Sequence, residues 1–378
     1  MQALHASPLP ALNTDPGFEI GWDHAHHRLV PPAEHLLPGN PVRDGWEAGQ
    51  AVFGTRTLRV TPQVKRWLQL RLGAWMRGKA FESVQVTPNF LARLEVSVCP
   101  ITGLALKHAT GTDSDASVDR VNNAAGYAAG NLAIFSVRAN KAKGAHDWRD
   151  AAGFVRQIEA RGLGRIDRLN AREWARLATL MSYCTPLAHD EAARLPLLVL
   201  PPPRLRLLNP AQAVQATLTL AFAQPGRAPR LGAMTAAFPA EVHLEVRLLL
   251  GTLLARRIGA GAAAPAARLR SVMEAAWTDP LVIRRWQGLA LRLDAAACEV
   301  IAEALCAEVS PLMRVRHLAQ AQATEGWALE TGGLRVDPGR GATVPDAVGP
   351  ALTPSARRKD CGEILAQRPL FEEPRFSV

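Results

Sequence analysis

The sequence predicts an α+β protein in which a small ββα module precedes a mainly α-helical domain. Three observations carry this. Short β-branched segments parted by Gly and Asp clusters lie between about residues 96 and 136. Ser136, a residue type that caps helices, closes the last of them. From Ala145 onward the composition turns to Ala, Leu and Arg with long helical periodicity. The 378 residues allow two or three domains, and 48% hydrophobic with 21% charged residues is ordinary globular usage. Most of the chain should fold.

Taken in order, Met1–Gly54 is rich in Pro, Gly and His without sustained periodicity and reads as an irregular arm. Thr61-Pro62 supplies an N-cap with proline at the first helical position, and Val64, Trp67, Leu68, Leu72, Trp75 and Met76 recur at helical spacing, giving a helix at about 62–78. Seven cations and no acid lie between Arg56 and Lys79, so one face of this helix should be strongly positive. Trp67 and Trp75 read as core aromatics before they read as base-stacking platforms.

Val96–Lys107 and Ser117–Val121 read as small hairpin strands, Asn131–Ser136 as a further strand, and Ser136 as the cap of a helix through Asn140 and Lys143. Asn170-Ala-Arg-Glu173 is a capping box opening a helix to about Cys184. Pro201-Pro202-Pro203 breaks the chain and Asn209-Pro210 restarts it. Further helices are expected over Pro239–Ile258, Ala264–Trp277, Leu281–Leu293, Ala295–Val309 and Pro311–Thr324. Pro338–Pro354 is rich in Gly and Pro and belongs to a loose tail. The expected divisions are 1–84, 85–146, 147–334 and 335–378.

Five scattered cysteines without a C-x-x-C pair exclude a zinc ribbon and a disulfide framework, and make a reducing cytoplasm the expected location. No apolar run is long enough to span a membrane, and the first twenty residues carry no Lys or Arg, which argues against a secretory leader. A net charge of +10 favours polyanionic partners, nucleic acid ahead of acidic membrane. Asp23, His24, His26 and His27 form a zinc-like grouping, although histidines in a proline-rich arm seldom act so specifically.

The chemistry concentrates in four segments: Cys99-Pro-Ile-Thr-Gly103, Ser117-Val-Asp-Arg120, Gly126-Tyr-Ala-Ala-Gly-Asn131 and Asn140-Lys-Ala-Lys143. In this order and spacing they resemble the HNH (His-Me finger) endonuclease domains of phages and bacteria, in the branch reading C-x-x-[ST]-G, S-[LV]-D-R, G-Y-x-x-x-N, N-x-x-K. The resemblance covers about residues 99–144, roughly an eighth of the chain. It implies a ββα-metal module that cuts DNA phosphodiesters with one divalent cation, Mg²⁺ or Mn²⁺. Asp119 and Asn140 would be the cation's hard oxygen ligands, and Asn131 would tie the loop or orient the nucleophile.

One position departs from the best-understood form of that pattern, which has a water-deprotonating His after the Asp. Here the residue is Arg120, which stays protonated and can clamp a phosphate but not act as a base. The base is then another group, with His108 the nearest upstream histidine, or else water bound to the metal is acidic enough unaided. Lys107, Arg138, Lys141 and Lys143, extended by Lys65 and Arg66, are the candidate contacts to DNA phosphates. Two other readings stand beside this one: a catalytically degenerate DNA-binding module, and a helical scaffold for a protein partner.

Overall fold

The computed structural model describes residues 15–226, 229–261, 263–309 and 320–336. They are mostly helical, with one two-stranded sheet, and they gather into two compact units. Unit 1 comprises residues 15–93, Gly126–Ala128 and 326–336; unit 2 takes Leu94–Ala125 and the chain from Ala129 to Glu325. This division differs from the expected one, because the ββα segment and the helices after Ala145 fall in the same unit.

In unit 1 the expected irregular arm is replaced by two helices, α1 (Pro16–His26) and α2 (Pro41–Phe53); residues 1–14 lie outside the described part. Each opens on a polar cap followed by proline. Asp15 accepts the Gly17 N–H at 2.6 Å and Asn40 accepts that of Val42 at 2.9 Å. Glycine hid them from a periodicity reading. A Cβ at Gly21 would collide with the Val42 carbonyl, and one at Gly45 with that of Phe18, so the two backbones meet directly and need no broad apolar stripe.

Helix α3 (Pro62–Met76) forms as the spacing predicts, with the Thr61 hydroxyl accepting the Val64 N–H at 3.2 Å. Trp67 is buried and donates to the Val86 carbonyl at 2.7 Å; Trp75 donates to Asp15 at 3.0 Å. Both indoles are structural. The positive face is weaker than composition suggested, because Arg71 is buried, lies over the Trp67 ring and pairs with Glu19 and Asp23 of α1. Arg56, Arg59, Lys65 and Arg77 stay exposed. A short α4 (Pro88–Ala92) follows. Distant segments complete the unit: Ala80 N–H donates to Gly333 O, Arg335 N–H to Gly78 O, Tyr127 N–H to Ala80 O and Gly126 N–H to Trp327 O, all at 2.6–3.0 Å.

The residues of the zinc-like grouping are used separately. Asp23 is held by Arg71, His24 Nδ1 lies 2.7 Å from Ile20 O, and His26 stacks on Phe53. Burial lowers the pKa of His24 and His27 from the ordinary 6.5, and the charge of His26 adds to this at His27. Above that value both rings are neutral, folded or unfolded, and contribute nothing. Below it the unfolded chain binds the extra protons, so stability falls with falling pH until the lowered folded values are passed. Thermal melting should therefore show a lower midpoint at about pH 5.5 than at about pH 7.5. Replacing His24 and His27 together by Gln should lessen that drop; an undiminished drop would place its origin elsewhere.

Unit 2 begins with a tight turn over Cys99-Pro-Ile-Thr-Gly103, closed by Cys99 N–H to Leu104 O and Gly103 N–H to Cys99 O, both at 2.9 Å. The strands expected over Val96–Lys107 reduce to single bridges, Val98 to Ala105 and Lys107 to Asp115. The later part of the module matches expectation. β1 (Ala116–Arg120) pairs antiparallel with β2 (Leu132–Ser136), and α5 (Val137–Lys143) starts directly after, with the Ser136 hydroxyl accepting the Ala139 N–H at 3.2 Å. All five β2 residues are buried. At the end of β2 the Cys99 thiol accepts the Ser136 N–H at 3.3 Å.

The helices that follow are α6 (Trp148–Arg161), α7 (Ala171–Tyr183), α8 (His189–Arg194), α9 (Pro210–Ala223), α10 (Leu231–Ala236), α11 (His243–Gly259), α12 (Ala266–Ala276), α13 (Pro280–Ala290), α14 (Ala295–Val309) and α15 (Gln320–Ala323). The Asn170/Glu173 capping box forms as expected, and Asp147 with Asp150 makes another at α6. α9 is the central helix, buried along most of its length and packed against α8, α11, α12 and α14. Trp277 Nε1 donates to Thr219 on α9 at 2.8 Å, and Trp286 Nε1 to the Ala193 carbonyl at 2.9 Å. Most of the helix expected over Pro311–Thr324, and the tail beyond Val336, lie outside the described residues. Among the described residues no helix is long and apolar enough to cross a membrane.

Candidate active site

Strand alternation puts Ser117 and Asp119 on one face of β1, opposite Phe135 and Ala133 of β2. Asn140 and Lys143, three apart on α5, share a helix face that meets them. Two polar rungs result. Asn140 Nδ2 donates to Ser117 Oγ at 2.9 Å, and Lys143 Nζ donates to Asp119 Oδ2 at 2.8 Å. Asp119 and Asn140 therefore lie on the same seam between ribbon and helix, each bonded to a different partner.

Lys143 is 0% exposed and also donates to Asn123 Oδ1 at 2.6 Å. Burial pulls its pKa down from the usual lysine value and Arg120 pushes the same way, while the charge and hydrogen bond of Asp119 oppose them. The expected role of Lys143 as an exposed phosphate contact is not what the fold provides: its ammonium is inside. Arg138 is likewise diverted, pairing with the mostly buried Glu173 at the start of α7. Lys107 and Lys141 are exposed, as is Lys65 in unit 1, where Arg66 is half-buried.

The loop from β1 to β2 is held by its own polar side chains. Asn131, fully buried, brackets one residue: its Oδ1 accepts the Asn122 N–H at 2.8 Å and its Nδ2 donates to the Asn122 carbonyl at 3.1 Å. Arg120 Nη1 donates to the carbonyls of Asn123 and Ala125 at 3.0 and 2.9 Å. Its guanidinium is thus committed to the loop. Within unit 1, Tyr127 stacks near Phe81 and accepts from Arg77 at 2.8 Å.

Sequence reasoning missed Ser117 as a seam residue, and it missed Asn122 and Asn123. Asn123 donates to the carbonyls of Gly144 and His146, both at 3.0 Å, and so ties the loop to the end of α5 while receiving Lys143. Asn122 donates to the Cys184 carbonyl after α7 at 2.9 Å. The available signal was the Asn-Asn pair directly after a strand, where short amide side chains satisfy loop backbone.

His108 is exposed on a loop organised by Asp115, which accepts the N–H groups of Thr110, Gly111 and Thr112. Its neighbour Lys107 bridges Asp115, so the His108 backbone sits at the far end of β1, roughly 10–13 Å of strand from Asp119. The histidine attached to the Asn123 end is His146, whose ring rests against Phe154 and Trp174 with Nδ1 3.7 Å from Asp150.

Among the described residues no three His, Cys, Asp or Glu side chains gather as a metal group. A cation at the seam would rest on the Asp119 carboxylate, the Asn140 amide oxygen and the Ser117 hydroxyl. These are hard donors of the type Mg²⁺ and Mn²⁺ take, with water completing the octahedron. The set fits such an ion in kind; in this structure Asp119 is bonded to Lys143 and Asn140 to Ser117. In comparisons with known proteins, no family model, no curated protein and no solved structure matches the chain.

Proposed function

We propose that the chain is a metal-dependent DNA endonuclease built on its ββα module. The observation that carries this reading is the placing of Asp119 and Asn140 on one seam between a ribbon and the helix that directly follows it, beside exposed lysines on a chain of charge +10. Asp119 and Asn140 would hold the cation, whose chemistry is to neutralise charge on phosphorus and on the leaving oxygen. Asn131 and Arg120 keep the loop in shape around the seam. Lys107 and Lys141 contact backbone phosphates without reading sequence. Supercoiled plasmid should be nicked with Mg²⁺ or Mn²⁺, and Asn140→Ala or Asp119→Asn should slow nicking by at least about a hundredfold. Intact DNA across plasmid, linear, single-stranded and branched substrates would refute the proposal.

A second reading, a degenerate module that binds DNA without cutting it, is favoured by the Lys143 ammonium on Asp119 and by the use of Arg120 on loop carbonyls. Binding with a steep salt dependence and no metal-dependent nicking would select it.

A further inference from the structure

We infer that Lys143 is a built-in counter-ion that occupies Asp119, so that the seam takes a divalent cation only together with a DNA phosphodiester. This rests on the endonuclease reading and adds to it a control on metal entry. The position of Lys143 is a built one. Its side chain is 0% exposed, Asp119 accepts at 2.8 Å and Asn123 at 2.6 Å, and Asn123 is anchored by two backbone carbonyls at the end of α5. An exposed lysine would lose rotamer freedom and pay for it alone; this one is held by the fold.

Charge decides the consequence. Asp119 and Lys143 sum to zero, and Arg120 is close enough to act on Lys143 electrostatically. A divalent cation approaching the DNA-free seam meets no net negative charge and must first displace an ammonium from its principal carboxylate ligand. A phosphodiester changes the first condition: it adds one negative charge and two oxygens that can ligate the ion, which offsets the cost of displacing the ammonium. Metal and DNA should therefore bind with positive coupling, each raising the affinity for the other by the same factor.

The test is Mn²⁺ binding to the full chain, followed by the electron paramagnetic resonance signal of free Mn²⁺, with and without duplex oligonucleotide, and with Asp119→Asn as the blank. The parent should bind Mn²⁺ at least about tenfold more tightly with duplex than without it. Lys143→Met, which keeps bulk and removes charge, should bind Mn²⁺ at least about tenfold more tightly than the parent when DNA is absent. Equal Mn²⁺ affinity of the parent with and without duplex would overturn the inference, as would a folded Lys143→Met no tighter than the parent; either result leaves the endonuclease reading standing if plasmid is still nicked. Should Lys143→Met fail to fold, the parent comparison decides alone. No Asp119-dependent Mn²⁺ binding in any form, together with no nicking, would remove the endonuclease reading and the inference with it.

Discussion

Asp119→Ala is expected to destabilise the protein by about 3–5 kcal/mol, more than Lys143→Met does. The two partners differ in what happens to the one left behind. Lys143 is 0% exposed, whereas the Asp119 side chain is 16% exposed. Removing Asp119 strands an ammonium that water does not reach, with the Asn123 amide oxygen as its remaining acceptor. Removing Lys143 leaves a carboxylate that water can solvate. Urea denaturation of the parent, both single variants and the double variant measures the difference, and the double variant should recover much of the loss in Asp119→Ala. Additive costs, or an Asp119→Ala protein as stable as the parent, would contradict a buried ion pair here. This is also why Asp119→Asn, and not alanine, is the variant suited to the cleavage assay: a melted module cuts nothing, for reasons unconnected with metal.

Glu274→Ala should cost a similar amount, about 3–5 kcal/mol. Glu274 on α12 is only 5% exposed and accepts from the Leu200 N–H at 2.9 Å, from Arg270 Nε at 3.0 Å and from Arg176 Nη1 at 2.9 Å. Arg176 on α7 in turn donates to the Pro100 carbonyl at 2.8 Å and to that of Leu198 at 3.0 Å. One carboxylate thus fixes a guanidinium that joins the helices to the turn in front of the ββα ribbon. Glu274→Gln keeps an acceptor for Leu200 and should lose less than the alanine variant. Chemical denaturation separates the two; equal losses would show that the neutral acceptor contributes nothing without the charge, and a Glu274→Gln protein as stable as the parent would show that the charge contributes nothing.

Much of the ribbon and the helical half was legible in the sequence because the governing interactions are local. Ser136 caps the helix it precedes, Asn170 and Glu173 sit in one turn, and β1 and β2 alternate within a few residues of one another. Helices α1 and α2 were missed although each carries the same polar-residue-then-proline opening that marked α3, as Asp15-Pro16 and Asn40-Pro41. What holds them together includes a close backbone approach at Gly21 and Gly45, where glycine stands at positions an apolar side chain would otherwise mark. At the site, the sequence indicated which face Asp119 and Asn140 would share. It did not show where Lys143 would go. A lysine's fate depends on whether a neighbouring segment covers it, and here the cover includes Asn123, twenty residues earlier in the chain.

Unit 1 has a consequence for synthesis. Residues 15–93 leave the ribosome well before residues 326–336, yet backbone bonds that close the unit come from Trp327, Gly333 and Arg335. At about 5–20 residues per second, the nascent α1–α3 segment must wait some tens of seconds for those partners. In that interval the Ala80 N–H lacks Gly333 and the Gly78 carbonyl lacks Arg335, and a chain truncated before Trp327 never acquires either bond. Early termination should therefore yield a product that chaperones retain or proteases clear, even when the ribbon and most of the helices of unit 2 have been made.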